Sequence, residues 1–223
     1  MEEDYRFIAQ KIPFVEHVSR ERLHVSVKSR VRFYGKVKRC FDVVFAVLLG
    51  ILCMIPMGII AILIKLDSPG PIIFAQERLG KDGQPFMLYK FRSMRVDAEK
   101  FGPQWANKED QRCTSIGRIL RKLHLDELPQ LWNILIGEMS FVGPRPERAC
   151  FYAEFVKYIP EFQNRLIVLP GLTGWAQVNG GYDLKPEEKI IYDEEYIYRQ
   201  SFSFDCWCLL KTCLILLSQK GAR

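Results

Sequence analysis

Histidine is scarce in this chain. The three present, His17, His24 and His124, are too scattered to build an imidazole metal cage, so a metal would have to be held by oxygen, which favours Mg²⁺. Cysteine pairing signals are missing too. The seven thiols, Cys40, Cys53, Cys113, Cys150, Cys206, Cys208 and Cys213, are odd in number and show no C-x-x-C spacing, which signals neither a disulfide framework nor a zinc site. They read as reduced thiols facing a cytoplasm, most of them small core residues.

Charge is absent altogether from Val43 to Ile64, VVFAVLLGILCMIPMGIIAILI, a run of 22 residues where about 20 suffice to cross a bilayer as a helix. The run is too long for a signal-peptide core, lacks a small-residue cleavage site and follows a long polar leader, so it is expected to stay in the mature protein. Pro56, with Gly50 and Gly58 on either side, predicts a bend near its middle. Basic residues stand on both flanks, Lys36, Lys38 and Arg39 before and Lys65, Arg78 and Lys81 after, so a straight span would send one basic flank outside. A kinked transmembrane helix and a helix that enters and returns are both compatible with these features.

The 223 residues, 48% hydrophobic and 26% charged, can bury a core and most simply form one domain with attachments. The net charge of +6 is concentrated at the start: residues 1 to 39 hold 10 Lys/Arg against 5 Asp/Glu, and the remainder is near balance at 22 against 21. A basic excess beside a hydrophobic segment points to an anionic membrane surface rather than to nucleic acid. The leader itself fits two patterns. Leu23, Val25, Val27, Val31 and Phe33 alternate with polar residues as in a strand, while Leu23, Val27, Val31 and Tyr34 also share one helical face. At the other end, Cys206 to Leu217 is apolar but too short to cross. It reads either as a helix lying in the interface, with Trp207 at headgroup depth and Lys211 snorkelling, or as a core helix.

Between these segments, Ile72 to Met94 predicts a β-hairpin turning at Lys81-Asp82-Gly83-Gln84. Alternation puts Phe86, Leu88, Lys90 and Arg92 on one face, making the two cations candidates for phosphate contact or part of a solvated edge. Thr114-Ser115 caps a helix carrying Ile116, Ile119, Leu120 and Leu123, ending near His124. Pro129 belongs in the first turn of the next helix, so Asp126 and Glu127 lie at that helix's mouth. A helix N-terminus favours carboxylates by about 0.3 to 1 kcal/mol, so the pair alone has a purely structural account. Its company adds weight: Arg121 lies just before it, and Gly143-Pro144-Arg145-Pro146-Glu147 after it presents Arg145 from a proline-restricted backbone.

Adjacent carboxylates at a helix mouth point in different directions, so the two must divide their work. Attack on phosphorus by a carboxylate requires the phosphate's charge to be neutralised, because two anions about 4 Å apart repel by several kcal/mol at an effective dielectric near 20. One carboxylate on Mg²⁺, with guanidiniums on the other oxygens, would leave its neighbour free as nucleophile. Further on, Leu169 to Gly181 reads as a glycine-rich loop able to approach a ligand, or a connector packed by Trp175. Pro186 opens a helix whose run Asp193-Glu194-Glu195 reads as a solvated face, and Asp205 reads as a cap on the apolar C-terminal helix.

Taken in order, KRCFD (38 to 42), the apolar segment, DSPGPIIFAQERLG (67 to 80), YKFRSM (89 to 94), LDELPQLWNIL (125 to 135), GEMSFVGPRPE (137 to 147) and PGLTGWAQVNG (170 to 180) resemble the bacterial sugar transferase family, the small monotopic polyprenyl-phosphate phosphoglycosyl transferases. The resemblance covers roughly residues 37 to 218. It implies a membrane enzyme on the cytoplasmic face of the bacterial inner membrane that moves a sugar phosphate from a UDP-sugar to polyprenyl phosphate, releases UMP and starts surface-glycan assembly, with downstream glycosyl transferases as possible partners. It further implies Asp126 as the covalently phosphoglycosylated residue, Glu127 as the Mg²⁺ ligand, Lys90, Arg121 and Arg145 as phosphate-binding residues, and Asp205 as an additional functional aspartate.

The implied fold is α+β and mostly helical. A basic extension (1–36) precedes a re-entrant membrane helix (37–66) bent at Pro56, and a catalytic domain (67–223) follows with a small β-hairpin and interfacial amphipathic helices. This sequence departs from well-studied members at Ile55, where they carry a serine before the proline; serine can back-bond to a helical carbonyl and assist a bend. Two other readings compete: a membrane-bound glycosyl transferase that releases UDP, and a non-catalytic membrane scaffold whose carboxylates only cap a helix.

Overall fold

The computed structural model describes residues 20–100, 102, 110–181 and 184–218, with side chains between residues 33 and 217. The first helix, α1 (Arg20–Asp67), takes in the end of the leader and the whole apolar run, and is helical through Pro56. The backbone from Arg20 therefore adopts the helical alternative for the leader; the side-chain pattern of Leu23 to Val31 lies outside the described side chains.

From Phe33 to Asp67 the helix is apolar enough to cross a membrane, and only 11% of its most apolar window is buried. Leu52 and Ile55 are about three-quarters exposed, at 74% and 75%. That much bare apolar surface is unlike a core helix of a soluble protein, which would be mostly buried.

The hairpin forms as its turn chemistry requires. Strands β1 (Ile73–Leu79) and β2 (Pro85–Phe91) pair antiparallel with Ile73 opposite Phe91 and Leu79 opposite Pro85. The chain reverses through Asp82 and Gly83, both at positive φ, 55° and 74°, the conformation that aspartate tolerates and glycine adopts freely. Phe86 and Leu88 on the inner face of β2, and Arg92 just beyond the strand, are buried.

Two short helices follow, α2 (Ser115–Lys122) and α3 (Gln130–Ile136), then β3 (Ser140–Val142) and α4 (Ala149–Phe155). The stretch expected to be a loop instead holds strand β4 (Gly171–Thr173) and a turn of helix, α5 (Trp175–Asn179). β4 runs parallel to β3, Ser140 opposite Gly171 and Val142 opposite Thr173. Glycine makes this pairing possible: a Cβ on Gly171 would meet Gly143 N at 2.1 Å, and one on Gly174 would meet Gly143 O at 2.1 Å. The glycines thus let two backbones touch and fix where the Gly143-to-Glu147 loop begins.

Helices α6 (Pro186–Arg199) and α7 (Phe202–Ser218) complete the chain. The main core joins Ala46 of α1 with Leu88, Ile134, Phe141, Tyr196, Phe204 and Cys208, so the membrane helix is part of the fold rather than an appendage. A second cluster, Ile60 and Ile64 with Phe91 and Leu120, grips the other end of the same helix. On α7, Phe204 and Cys208 face the core while Trp207, Leu210, Leu214 and Leu217 are exposed at helical spacing. Such a helix is amphipathic, not a buried core helix.

Candidate active site

Local rules set the carboxylate pair in place. Thr114 Oγ1 accepts the Gly117 N–H at 3.0 Å and starts α2, as the sequence predicts. That helix stops at Lys122, and His124, at φ 55°, turns the chain in the left-handed region. A tight turn, Leu125–Glu127, follows, and Pro129 then opens α3. Asp126 and Glu127 are therefore folded inward between two helices, at 6% and 7% exposure.

Two more elements deliver cations to Glu127. From β2, Lys90 Nζ donates to Glu127 Oε1 at 2.8 Å. From the Gly143-to-Glu147 loop, Arg145 Nη2 donates to the same oxygen at 2.5 Å, with Nη1 3.4 Å from Oε2. The relative placement of β2 and α3 depends on Asn133, a fully buried residue the sequence reading did not single out. Its Oδ1 accepts the Tyr89 N–H at 3.1 Å and its Nδ2 donates to Met87 O at 2.7 Å, so the strand's backbone is pinned on both sides of Leu88. A buried asparagine between apolar neighbours, close behind an acidic pair, was the available signal.

The two carboxyls differ sharply. Burial works against ionisation of Glu127, but Arg145 and Lys90, by charge and hydrogen bonds, outweigh it and hold the group well below the ordinary carboxylate range. Asp126 accepts no hydrogen bond among the described residues, and burial pushes its carboxyl up; ionised Glu127 adds to the rise, while Lys90, Arg121 and Arg145 oppose it. One carboxylate is thus clamped and held charged by its cations, and its neighbour is buried, without a hydrogen bond among the described residues, and surrounded by cations. Desolvated nucleophiles with free lone pairs are the reactive ones.

Of the remaining expected residues, Arg121 contributes charge near Asp126 while its Nη1 donates to Cys113 Sγ at 2.9 Å. Arg92, a candidate for phosphate contact, instead closes the end of α1: it donates to Ser68 O at 2.7 Å, to Ser68 Oγ at 2.9 Å and to Pro69 O at 3.0 Å. Three such bonds leave it structural. Asp205 lies within the first turn of α7 and does not serve as the expected cap. It is buried in a separate cluster, accepting bonds from Lys38 Nζ, from Tyr34 at 2.9 Å and from Tyr196 at 2.8 Å. That cluster ties the start of the membrane helix to α6 and α7. Arg39 adds a second tie by donating to the carbonyls of Ile134 and Leu135 at the end of α3.

Among the described residues no group of three or more His, Cys, Asp and Glu side chains is placed to hold a metal. A divalent ion at this site would have the Glu127 carboxylate, and for the rest phosphate oxygens and water. That donor set is the one Mg²⁺ ordinarily takes at phosphate-transfer sites. A carboxylate has about four lone-pair positions, and Glu127 Oε2 carries only the long 3.4 Å contact, so the residues present fit such an ion.

The sequence was compared with known proteins. The family model described as bacterial sugar transferase matches residues 33–219. A UDP-N-acetylgalactosamine-undecaprenyl-phosphate N-acetylgalactosaminephosphotransferase of Aeromonas hydrophila is 41% identical over 212 residues, covering 94% of this chain and 50% of that protein. A UDP-glucose:undecaprenyl-phosphate glucose-1-phosphate transferase of Escherichia coli K12 is 42% identical over 174 residues, 76% of this chain and 38% of its own length. An exopolysaccharide production protein of Rhizobium leguminosarum is 46% identical over 149 residues, 65% of this chain and 74% of its own. The chain thus spans half the length of the Aeromonas relative and 38% of the Escherichia coli one. With a match that runs from the membrane helix through the carboxylate pair to the last helix, the chain belongs to the bacterial sugar transferase family.

Proposed function

We propose that this chain transfers a sugar 1-phosphate from a UDP-sugar to undecaprenyl phosphate, in two steps through a phosphoglycosyl ester of Asp126. The observation that carries this reading is the division within the pair: Asp126 buried and without a hydrogen-bond partner among the described residues, Glu127 clamped by Lys90 and Arg145. In the first step an Asp126 carboxylate oxygen attacks the β-phosphorus of the UDP-sugar. The bond to the bridging oxygen breaks, and UMP leaves with the electron pair. In the second, an oxygen of undecaprenyl phosphate attacks the same phosphorus and the aspartate leaves as carboxylate, giving undecaprenyl-diphosphate-sugar. Neither step needs a general acid, because both leaving groups are stable anions.

Lys90, Arg121 and Arg145 neutralise the phosphates and orient the β-phosphorus toward Asp126. Glu127 keeps Lys90 and Arg145 in place and would hold Mg²⁺, which when bound supplies positive charge to the diphosphate. The relatives' names give N-acetylgalactosamine in one case and glucose in another, so the proposal stops at UDP-sugars as a class.

Purified protein incubated with undecaprenyl phosphate and a panel of UDP-sugars should release UMP with at least one of them. With that donor alone, mass spectrometry should find a sugar-phosphate adduct on the peptide containing Asp126. Release of UDP would establish the glycosyl transferase reading instead, and no Mg²⁺-dependent turnover with any donor would favour a scaffold.

The same proposal places the catalytic part on the cytoplasmic face of the bacterial cytoplasmic membrane, where UDP-sugars are made, with α1 entering the bilayer and returning and the exposed face of α7 lying in the interface. Ala46 and Ile60 are both buried against the folded part. Between them, residues 47 to 59 extend about 20 Å as a helix, less than the roughly 30 Å of a hydrocarbon core. With both ends held by one domain, the segment is too short to reach the far side. A membrane-impermeant maleimide is therefore expected to leave a cysteine introduced near the N-terminus unlabelled in intact cells and to label it after permeabilisation. Labelling in intact cells would establish a full span.

A further inference from the structure

A second set of buried ions lies behind the loop that carries Arg145. Pro144 and Pro146 have no N–H, so this loop can be gripped mainly through its carbonyls. Gly171 N donates to Pro144 O at 2.9 Å, Arg78 Nη1 to Pro146 O at 3.1 Å and Leu79 N to Glu147 O at 3.0 Å. At Arg145 itself the donor is Arg165, whose Nη2 lies 2.8 Å from the Arg145 carbonyl oxygen. Arg165 is 2% exposed and comes from the turn Pro160–Ile167; its Nε donates at 2.7 Å to Oδ2 of Asp193 on α6, which is 1% exposed. Its guanidinium carbon lies 4.5 Å from the centre of the Phe162 ring.

The form of this pair decides how it is read. Arginine and a carboxylate joined for their own stability meet through two parallel bonds. Here a single bond joins them, Asp193 Oδ1 has no hydrogen-bond partner among the described residues, Nη2 is given to the loop backbone instead of to the carboxylate, and Nη1 lies 3.5 Å from the Tyr152 hydroxyl. A fully buried pair with one contact gains little against the cost of desolvating both ions. The geometry is that of an arm: Asp193 holds Arg165, Arg165 holds the Arg145 carbonyl, and the Arg145 guanidinium reaches Glu127 at 2.5 Å.

We propose that Arg165 and Asp193 are positioning residues for the transfer reaction, fixing the backbone of Arg145 so that its guanidinium meets Glu127 and the substrate's phosphates. The Phe162 ring keeps the Arg165 plane in register. Lysine at position 165 would keep the charge beside Asp193, but one ammonium cannot reproduce the fork that spans Asp193 and the Arg145 carbonyl.

The inference rests on the transferase reading, and the two fail differently: failure of that reading shows as wild type that releases no UMP. The test uses the full chain in detergent or nanodiscs, with a UDP-sugar that wild type turns over. Arg165→Lys is expected to lower turnover by roughly 10- to 100-fold, with the donor KM changed by no more than about threefold. In an Arg145→Lys background the same substitution should change turnover by about twofold or less, since the group it acts through has already been altered. A readout independent of activity accompanies it: the fall in thermal midpoint caused by Glu127→Gln should shrink in the Arg165→Lys background, because Arg145 no longer meets Glu127. If the Arg145 variant is inactive, this second cycle decides. Additive midpoints, equal losses of turnover in both backgrounds, or wild-type turnover in Arg165→Lys would each overturn the proposal. So would failure of both Arg165→Lys and Asp193→Asn to fold, which would make the pair part of the fold itself.

Discussion

Replacing Asp126 by asparagine is expected to abolish UMP release, by on the order of 10³-fold or more, while leaving the protein as stable as before or more so. Both parts follow from one fact. Asp126 is a buried residue whose carboxyl accepts no hydrogen bond among the described residues, and its affinity for a proton is raised by burial and by ionised Glu127. A carboxyl whose folded pKa lies above its unfolded value costs stability once pH has passed that window, because the unfolded chain ionises it more easily. Asparagine has nearly the same shape and no charge to desolvate. The thermal midpoint of Asp126→Asn should therefore rise rather than fall at neutral pH. Inactive but more stable is the pattern of a functional group held at the fold's expense. A destabilised Asp126→Asn would mean that the aspartate serves the structure, and near-normal turnover would remove it from the chemistry.

What could be read in advance divides along physical lines. The hairpin, α2 and the mouth of α3 announced themselves because their causes are local: the Asp82-Gly83 turn, the Thr114 cap and Pro129 each act within four residues. The β3–β4 pair did not, since three-residue parallel strands carry almost no periodicity and depend on glycine contacts between distant segments. The acidic run on α6 shows the commonest failure. In the sequence Asp193 reads with Glu194 and Glu195 as a solvated face, yet Lys189, Asp193, Tyr196 and Ile197 lie on one buried stripe. Charge hid the helical period there, because a buried ion is recognisable only through its partner, and Arg165 stands 28 residues away. Asp205 was misread for the same reason, its partner Lys38 being 167 residues away. The acidic pair is legible as a pair, but which of the two carboxylates is ion-paired depends on cations that the fold brings from β2 and the proline loop.

Glu127→Gln, one residue from the first substitution, should also stop turnover but shift stability the other way. Glutamine can still accept a hydrogen bond, but it carries no charge to offset Lys90 and Arg145, whose side chains are 18% and 21% exposed. Removing the charge that both cations share should destabilise the protein by about 2 to 4 kcal/mol. The pH dependence separates the neighbours further. Glu127 is held below its unfolded value of about 4.3, so its contribution is complete above that pH and is lost as pH falls toward the depressed folded value. Asp126 acts in the opposite sense, easing the loss as pH falls, because the folded state takes up its proton first. Thermal midpoints measured between about pH 3 and pH 7 should therefore show a shallower acid-side decline in Glu127→Gln than in wild type, and a steeper one in Asp126→Asn. Parallel curves for all three proteins would show that the two carboxyls are not held in opposite charge environments, and the assignment of clamp to one and nucleophile to the other would fail with them.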